Sequence, residues 1–406
     1  MAPMEMTSKQ IGRRTVERNT AHHSLRSTRR RIVHGFLSMV VLAGACTRSE
    51  QRAPADSATS TAEAGRTPAS SVEEPIQAGS LGAGVVYTAN EGGRSVSRID
   101  LGTGRVLTFP VGIRPHNVQI SRDGQHVFTV GSLSGAMAGM DMSDSSAPED
   151  EARAELGQLL VLSAAASDTV GATRITIGRE PAHVIVGATG DRAYATSGAE
   201  NAVLVVDVPQ QRVIDTIATA LAPHGLRMHP DGREIYVAAT AANAVSVLDV
   251  ARSTETARIK VGRGPVQVGF LPDGARVYVT LRDDNAVAVI DTRTRRMITV
   301  IPVGRSPIQL FATPDGRFVY VANQGSEAQP DSTVSVIDTQ RNAVVKTLTT
   351  GRGAHGVVVS DDGQRMFITN TFAGTVSVID VQAQRVIGTI RVGAEPGGIT
   401  YRARTP

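Results

Sequence analysis

A glycine recurs along this chain at a spacing that only a repeated structural unit explains. Gly124, Gly190, Gly232, Gly274, Gly316 and Gly363 each close an Asp-Gly or similar turn, at separations of 66, 42, 42, 42 and 47 residues. The base period is therefore 42 residues, with insertions of 24 and 5 residues. A fixed period of this length marks a repeat architecture, whose units bury their apolar faces only against their neighbours.

One unit shows the pattern. Val261-Gly-Arg-Gly-Pro265-Val-Gln-Val-Gly-Phe-Leu-Pro-Asp-Gly274 is followed by Arg276-Val-Tyr-Val-Thr280, Asn285-Ala-Val-Ala-Val-Ile-Asp291 and Arg296-Met-Ile-Thr-Val-Ile301. Each piece is a short β-branched or alternating run bounded by turn residues, so the unit reads as four strands and no helix. Asp-Gly supplies the hairpin turn, where glycine takes positive φ without strain. A recurrent aspartate after the third strand (Asp100, Asp207, Asp249, Asp291, Asp338, Asp380) is expected to cap the next turn, with Ser163 in its place in the second unit.

Four-stranded units of this length are propeller blades. The first unit starts near Val85-Val-Tyr-Thr-Ala-Asn90 without an opening strand, and the chain ends on Pro396-Gly-Gly-Ile-Thr-Tyr401, which has the character of that missing strand. Pairing the two closes the ring and removes two open sheet edges. The fold class is thus all-β, a seven-bladed β-propeller over residues 81–406 with four antiparallel strands per blade.

Tyr320-Val-Ala-Asn323, Tyr278-Val-Thr280, Phe367-Ile-Thr-Asn370, Val334-Ser-Val-Ile-Asp338 and Val376-Ser-Val-Ile-Asp380 resemble the YVTN-type β-propeller repeat of bacterial envelope and surface proteins. The resemblance implies the fold and an envelope location. It does not imply one activity, because propellers of this type include lactonases, metal and cofactor enzymes, and non-catalytic binders.

The net charge of +4 and pI near 9.5 suggest nucleic acid until they are partitioned. Residues 1–45 carry +6, from Lys9, Arg13, Arg14, Arg18, Arg26, Arg29, Arg30 and Arg31 against Glu5 and Glu17, which leaves the remainder at −2. Phosphate binding needs basic surface on the folded part, so no nucleic-acid partner is expected. Arg29-Arg30-Arg31 precede an interrupted apolar stretch from Ile32 to Ala45, too short for a membrane span and suited to a signal peptide over residues 1–45. Leu42-Ala43-Gly44-Ala45-Cys46 resembles a lipobox, and Cys46 is the chain's one cysteine. Lipidation of Cys46 would anchor the protein to a membrane in the periplasm or at the cell surface. Ordinary cleavage beside an incidental cysteine is the alternative. Residues 46–80, rich in Ala, Ser, Thr, Glu and Pro, read as a flexible tether. One cysteine also excludes a disulfide framework and a multi-cysteine metal cluster.

Both insertions fall between strands two and three: the larger between Val130 and Gln158, the smaller at Ser326-Glu-Ala-Gln-Pro330. Loops from strand four to the next blade share that face, and they carry a Gly-Arg-x-Pro pattern with Arg179, Arg263, Arg305 and Arg352, and Arg114 one position later. These five guanidinium groups form a candidate ring for a small anionic ligand. The alternative is local pairing with acids such as Glu180, Asp283 and Asp284. His116, His224 and His355 stand one residue after the blade-opening proline or its equivalent, and His183 two residues after. That places them at the channel mouth, with His183 expected to point differently because side chains alternate along a strand. His126 and His229 belong to the opposite face.

Imidazole is a common ligand for copper, zinc and iron, and the arrangement is similar to that of nitrous oxide reductase, which holds copper with propeller histidines. The alternative is that histidine after this proline is a turn residue. Within the large insertion, Met137, Met140 and Met142 look like the Met-rich tracts of periplasmic copper-handling proteins. A chance cluster in a polar loop is the other reading.

Gly351-Arg-Gly353-Ala-His-Gly356 fits a dinucleotide fingerprint, but a strand follows where a helix is needed, so the match is void. No G-x-S-x-G or H-E-x-x-H motif occurs. The expected role is therefore a monomeric, lipid-anchored, non-catalytic envelope propeller binding an envelope protein or small anionic ligand on the inserted face. A copper-binding propeller is the alternative, and no other cofactor is expected. A lactonase-like hydrolase, with Glu91 and Glu180 as its candidate acids, is a second alternative. If Cys46 carries the anchor, Cys46→Ser moves the protein from the membrane fraction to the soluble fraction of an expressing bacterium; unchanged membrane retention contradicts lipidation.

Overall fold

A computed structural model describes residues 81–133 and 156–403, all within one compact unit spanning Ser70–Pro406. Cys46 and the Met137, Met140 and Met142 tract lie outside the described residues. Among the described residues, 28 strands form seven four-stranded antiparallel sheets, one per blade, confirming the seven-bladed propeller. The first sheet joins β28 (Pro396–Arg402) to β1 (Val85–Asn90), β2 (Ser95–Asp100) and β3 (Val106–Pro110). Val85 stands opposite Arg402 and Tyr87 opposite Thr400, so the C-terminal strand completes the first blade.

The other six sheets each begin with an innermost strand: β4 (Arg114–Ile120), β8 (Pro181–Val186), β12 (Pro223–Met228), β16 (Pro265–Phe270), β20 (Pro307–Ala312) and β24 (Ala354–Val359). Each packs against its neighbours around the axis. The apolar core is divided into clusters, one at each blade-to-blade interface. Tyr87, Phe128, Tyr194, Tyr236, Tyr278, Tyr320 and Phe367 occupy the same place on the second strand of their blades, and all are buried. The recurrent side chain thus fills the wedge between neighbouring sheets, where an aromatic ring contributes much of the buried area.

The turn chemistry follows the sequence pattern. Gly124, Gly232, Gly274, Gly316 and Gly363 have φ between 65° and 75°, as their hairpins require. Asp207, Asp249, Asp291 and Asp380 each accept from a backbone N–H three residues on, at 2.7–2.8 Å, and Asp100 and Asp338 do the same at 3.0 and 2.9 Å. Ser163 Oγ instead accepts from the N–H of Ala165, two residues on, at 3.3 Å.

Every innermost strand has a β-bulge near its start. An extra residue leaves one N–H without a ladder partner, and in three blades a threonine of the second strand takes it. Thr196 Oγ1 accepts from the His183 N–H at 3.0 Å and donates to the His224 carbonyl of the next blade at 2.8 Å. Thr280 does the same between Gln267 and Ile308, at 3.0 and 2.8 Å. Thr369 does so between Gly356 and Gly397, at 2.7 and 2.8 Å. In these three blades the threonine thereby ties the bulge to the neighbouring inner strand. Because Thr280→Val keeps the shape but strands a buried N–H, it should destabilise the protein by about 1–3 kcal/mol. Thr254→Val on an exposed strand should stay within about 0.5 kcal/mol. Urea midpoints of the two variants compare the costs directly; equal midpoints contradict the bridging role.

Candidate metal centre at the channel mouth

Four histidines from four inner strands meet on the axis. His116 lies on β4, His183 on β8, His224 on β12 and His355 on β24. Candidate ligand nitrogens of His116, His183 and His224 lie within 4.8 Å of one another. The His116 ring centroid is 5.6 Å from that of His183 and 5.2 Å from that of His224, and the His183 and His224 centroids are 5.0 Å apart. His355 stands further out, with its ring 6.3 Å from His116.

The expectation that His183 would point away from the other three does not hold. The bulge between Pro181 and Val184 adds a residue at the strand's start, so the second residue after the proline reaches the axis. The close trio is therefore His116, His183 and His224, and His355 is the outlying member.

The polar surroundings orient the rings. Glu91 follows β1 directly, and its backbone N–H is bonded to the Glu395 carbonyl at 3.0 Å. Its Oε2 lies 3.0 Å from His116 Nδ1, so Nδ1–H donates to the carboxylate and Nε2 keeps its lone pair. His116 Nε2 is buried with no hydrogen-bond partner. His224 Nδ1 donates to the Val266 carbonyl at 3.2 Å, which likewise leaves Nε2 as the basic nitrogen. A hydrogen-bond acceptor behind an imidazole is the usual support of a metal ligand. Gln267 Nε2 stands 3.4 Å from His183 Nδ1, too far to fix that tautomer, and His183 Nε2 is a second buried nitrogen without a partner.

Burial keeps His183, His224 and His355 neutral at neutral pH. It pushes His224 down to about 3 and His355 down to about 4, and the neighbouring His116 lowers both further. Burial also lowers His183 well below the ordinary imidazole range, and the neighbouring His224 and His116 lower it further. Burial alone would raise the Glu91 carboxyl. The hydrogen bond from His116, with Arg114 and the neighbouring histidines, outweighs it and holds Glu91 below the usual carboxylate value.

Arginines of the rim are mostly committed to acids. Arg263 meets Asp284 at 2.7 Å and Arg179 meets Glu200 at 3.0 Å, and both arginines also donate their backbone N–H to the same carboxylate. Arg305 lies 3.8 Å from Asp331, and Arg114 lies 3.6 Å from Glu91 and 4.0 Å from Glu395. Arg352 is exposed and makes no ion pair among the described residues. His229 sits apart from the channel group, beside Asp231 at 2.9 Å.

Fold and site together define a β-propeller with a histidine cluster at its axial mouth. Residues 151–358 and 308–406 match the YNCE-like beta-propeller family, and the chain belongs to that family. No curated protein matches it. Among solved structures it is similar to Kuenenia stuttgartiensis hydrazine synthase, at 18% identity and TM-score 0.58, covering 72% of this chain and 96% of that one. A functionally unknown protein from Desulfotomaculum acetoxidans is similar at 16% identity and TM-score 0.61, covering 80% of this chain and 100% of that one. A Bacteroides uniformis protein described as a candidate 6-phosphogluconolactonase is similar at 14% identity and TM-score 0.61, covering 79% and 99%. At these identities the likeness shows the fold alone.

Depressed histidine pKa values make stability pH-dependent. Near pH 6.5 and below, the unfolded chain binds protons that the buried rings refuse, so stability falls on acidification until the folded values of about 4 and 3 are reached. Each ring contributes up to about 1.4 kcal/mol per pH unit in that window. The urea midpoint should therefore drop between pH 7 and pH 5; a flat profile contradicts neutral, buried rings.

Proposed function

We propose that this protein is a metal-binding propeller of the bacterial envelope, holding one transition-metal ion at the channel mouth through His116, His183 and His224. The observation that carries the reading is the convergence of three candidate nitrogens within 4.8 Å on buried strands. Of the three buried, partnerless histidine nitrogens, His116 Nε2 and His183 Nε2 belong to this trio and His355 Nδ1 to its neighbour, and a buried polar nitrogen without a partner is costly unless something binds it. Three imidazoles suit copper, zinc, nickel or iron, and copper binds such a nitrogen set most tightly of the divalent first-row ions. Glu91 is a positioning residue that holds the His116 tautomer, and His355 is an outer neighbour.

In this reading the protein binds without catalysing a reaction, and lipidated Cys46 anchors it to the membrane. The Met137, Met140 and Met142 tract is a capture arm for Cu(I), to which thioether sulfur is well matched. The hydrolase reading has less support, because Glu91 is engaged by His116 and Arg114.

Metal content of the untagged mature protein, measured by mass spectrometry after incubation with Cu(II) or Zn(II) and desalting, tests the reading. The expected result is one ion per chain, absent from the His116/His183/His224→Ala variant and retained by His355→Ala. Glu91→Gln should weaken binding by about 10–100-fold. A triple variant that keeps its metal contradicts the assignment.

A further inference from the structure

The closing strand β28 packs against β24 on one side and β4 on the other, so it stands between His355 and His116. Where each flanking strand carries a histidine, β28 carries Gly397, which is buried. Nothing in the backbone asks for glycine there. Its φ lies outside the left-handed region, and the corresponding residues of the other six bulges are His116, Ala182, His224, Val266, Ile308 and His355. Close packing does not ask for it either. A Cβ on Gly397 would lie 3.3 Å from the His116 carbonyl oxygen, 3.7 Å from His355 Cε1 and 3.9 Å from His355 Nδ1, with nothing nearer. Its neighbour Gly398 is the contrast. A Cβ there would come within 2.7 Å of the Asn117 Cα, so that glycine serves the close approach of two strands. A strand glycine that neither its own backbone nor a neighbouring one requires marks a place where a ligand comes near.

The walls of this room are polar and shielded from bulk solvent. His355 is 4% exposed and His116 is 6% exposed. His355 Nδ1 is sealed from solvent without a hydrogen bond of proper geometry, although the Gly397 backbone interacts with the ring. A buried polar atom is normally satisfied by a partner. A neutral imidazole carries one N–H, so His355 can offer a donor to an acceptor lying against it.

An ion held by His116, His183 and His224 would have its protein ligands on β4, β8 and β12, three consecutive inner strands. Its remaining coordination would face the other side of the channel, where the His355 ring stands 6.3 Å from that of His116. Three protein ligands leave a fourth position open to an exchangeable group. The three imidazoles are also uncharged when they bind, so a divalent ion would bring its full charge into the core. Glu91, the acid of the cluster, is already met by His116 and Arg114. A buried charge is costly unless it is paired. We infer, on the footing of the metal site proposed above, that the ion takes a small anionic ligand with an oxygen or nitrogen donor. This anion, a few heavy atoms in size, is seated in the room beside Gly397 and accepts a hydrogen bond from His355.

Sodium azide is the probe, titrated into the full mature protein loaded with Cu(II), with sodium nitrate at matched ionic strength as the control. The azide-to-copper charge-transfer absorption reports the anion bound at the ion, and mass spectrometry reports copper per chain. The wild type should hold one copper and show a saturable band that nitrate does not produce. Gly397→Ala asks the His116 carbonyl to give by only a few tenths of an ångström. It should therefore fold and keep its copper, but lose at least about tenfold in azide affinity because its methyl takes the anion's room. His355→Ala should keep its copper and also lose at least about tenfold, the cost of one hydrogen bond to a charged group. If Gly397→Ala does not load copper, His355→Ala decides alone. A wild type that takes no copper overturns the metal reading and this anion site with it. A copper-loaded wild type with no azide band, or azide affinity unchanged in a copper-loaded variant, overturns the anion site and leaves the metal site standing.

Discussion

The bulge at the head of each inner strand is the constraint on which the site depends. A regular strand would send successive side chains to opposite faces, so the first and second residues after the proline would diverge. With an extra residue inserted, His116 and His224 at the first position and His183 at the second all reach the axis. Thr196 holds this irregular backbone by satisfying the His183 N–H and reaching across to the His224 carbonyl. One hydroxyl thus fixes two of the three candidate ligands, belonging to different blades, relative to each other.

Around that axis the molecule separates its chemistry by radius. Apolar clusters lie between the blades, each wedged by a buried tyrosine or phenylalanine, while four inner-strand histidines come together at the axis. The surrounding core raises the cost of charging the histidines, and their depressed pKa values express this. Neutral imidazoles are the metal-binding form, so the burial that makes the cluster a liability on acidification also keeps it ready for an ion at neutral pH.

Much of the fold was legible in the sequence because its signals are local. The Asp-Gly turns, the aspartate after the third strand and the orphan strand at Pro396 each depend on a few neighbouring residues, and the structure places them as their chemistry requires. The site was legible only in part. The position of the histidines after the proline put them at the channel mouth, but strand alternation misplaced His183, since a bulge leaves no mark in hydrophobic periodicity. Arg263 pairs with Asp284, one of the acids anticipated for the rim, whereas Arg179 pairs with Glu200 and not with its neighbour Glu180. Glu180 takes φ of 52° just before Pro181, and the residue that reaches Arg179 comes from the facing loop. Glu91 was visible as an acid but not as the partner of His116, a contact across 25 residues of chain. Gly397 gave no signal, because a glycine after a proline looks like turn material until the ring closes and sets it between two histidine-bearing strands.

The most direct test is anomalous diffraction from crystals of the mature protein grown with copper, with data collected on both sides of the copper edge. The account predicts one strong peak bounded by His116, His183 and His224, with Glu91 still bonded to the far nitrogen of His116. A peak elsewhere on the protein, or none in the channel of fully copper-treated crystals, contradicts it.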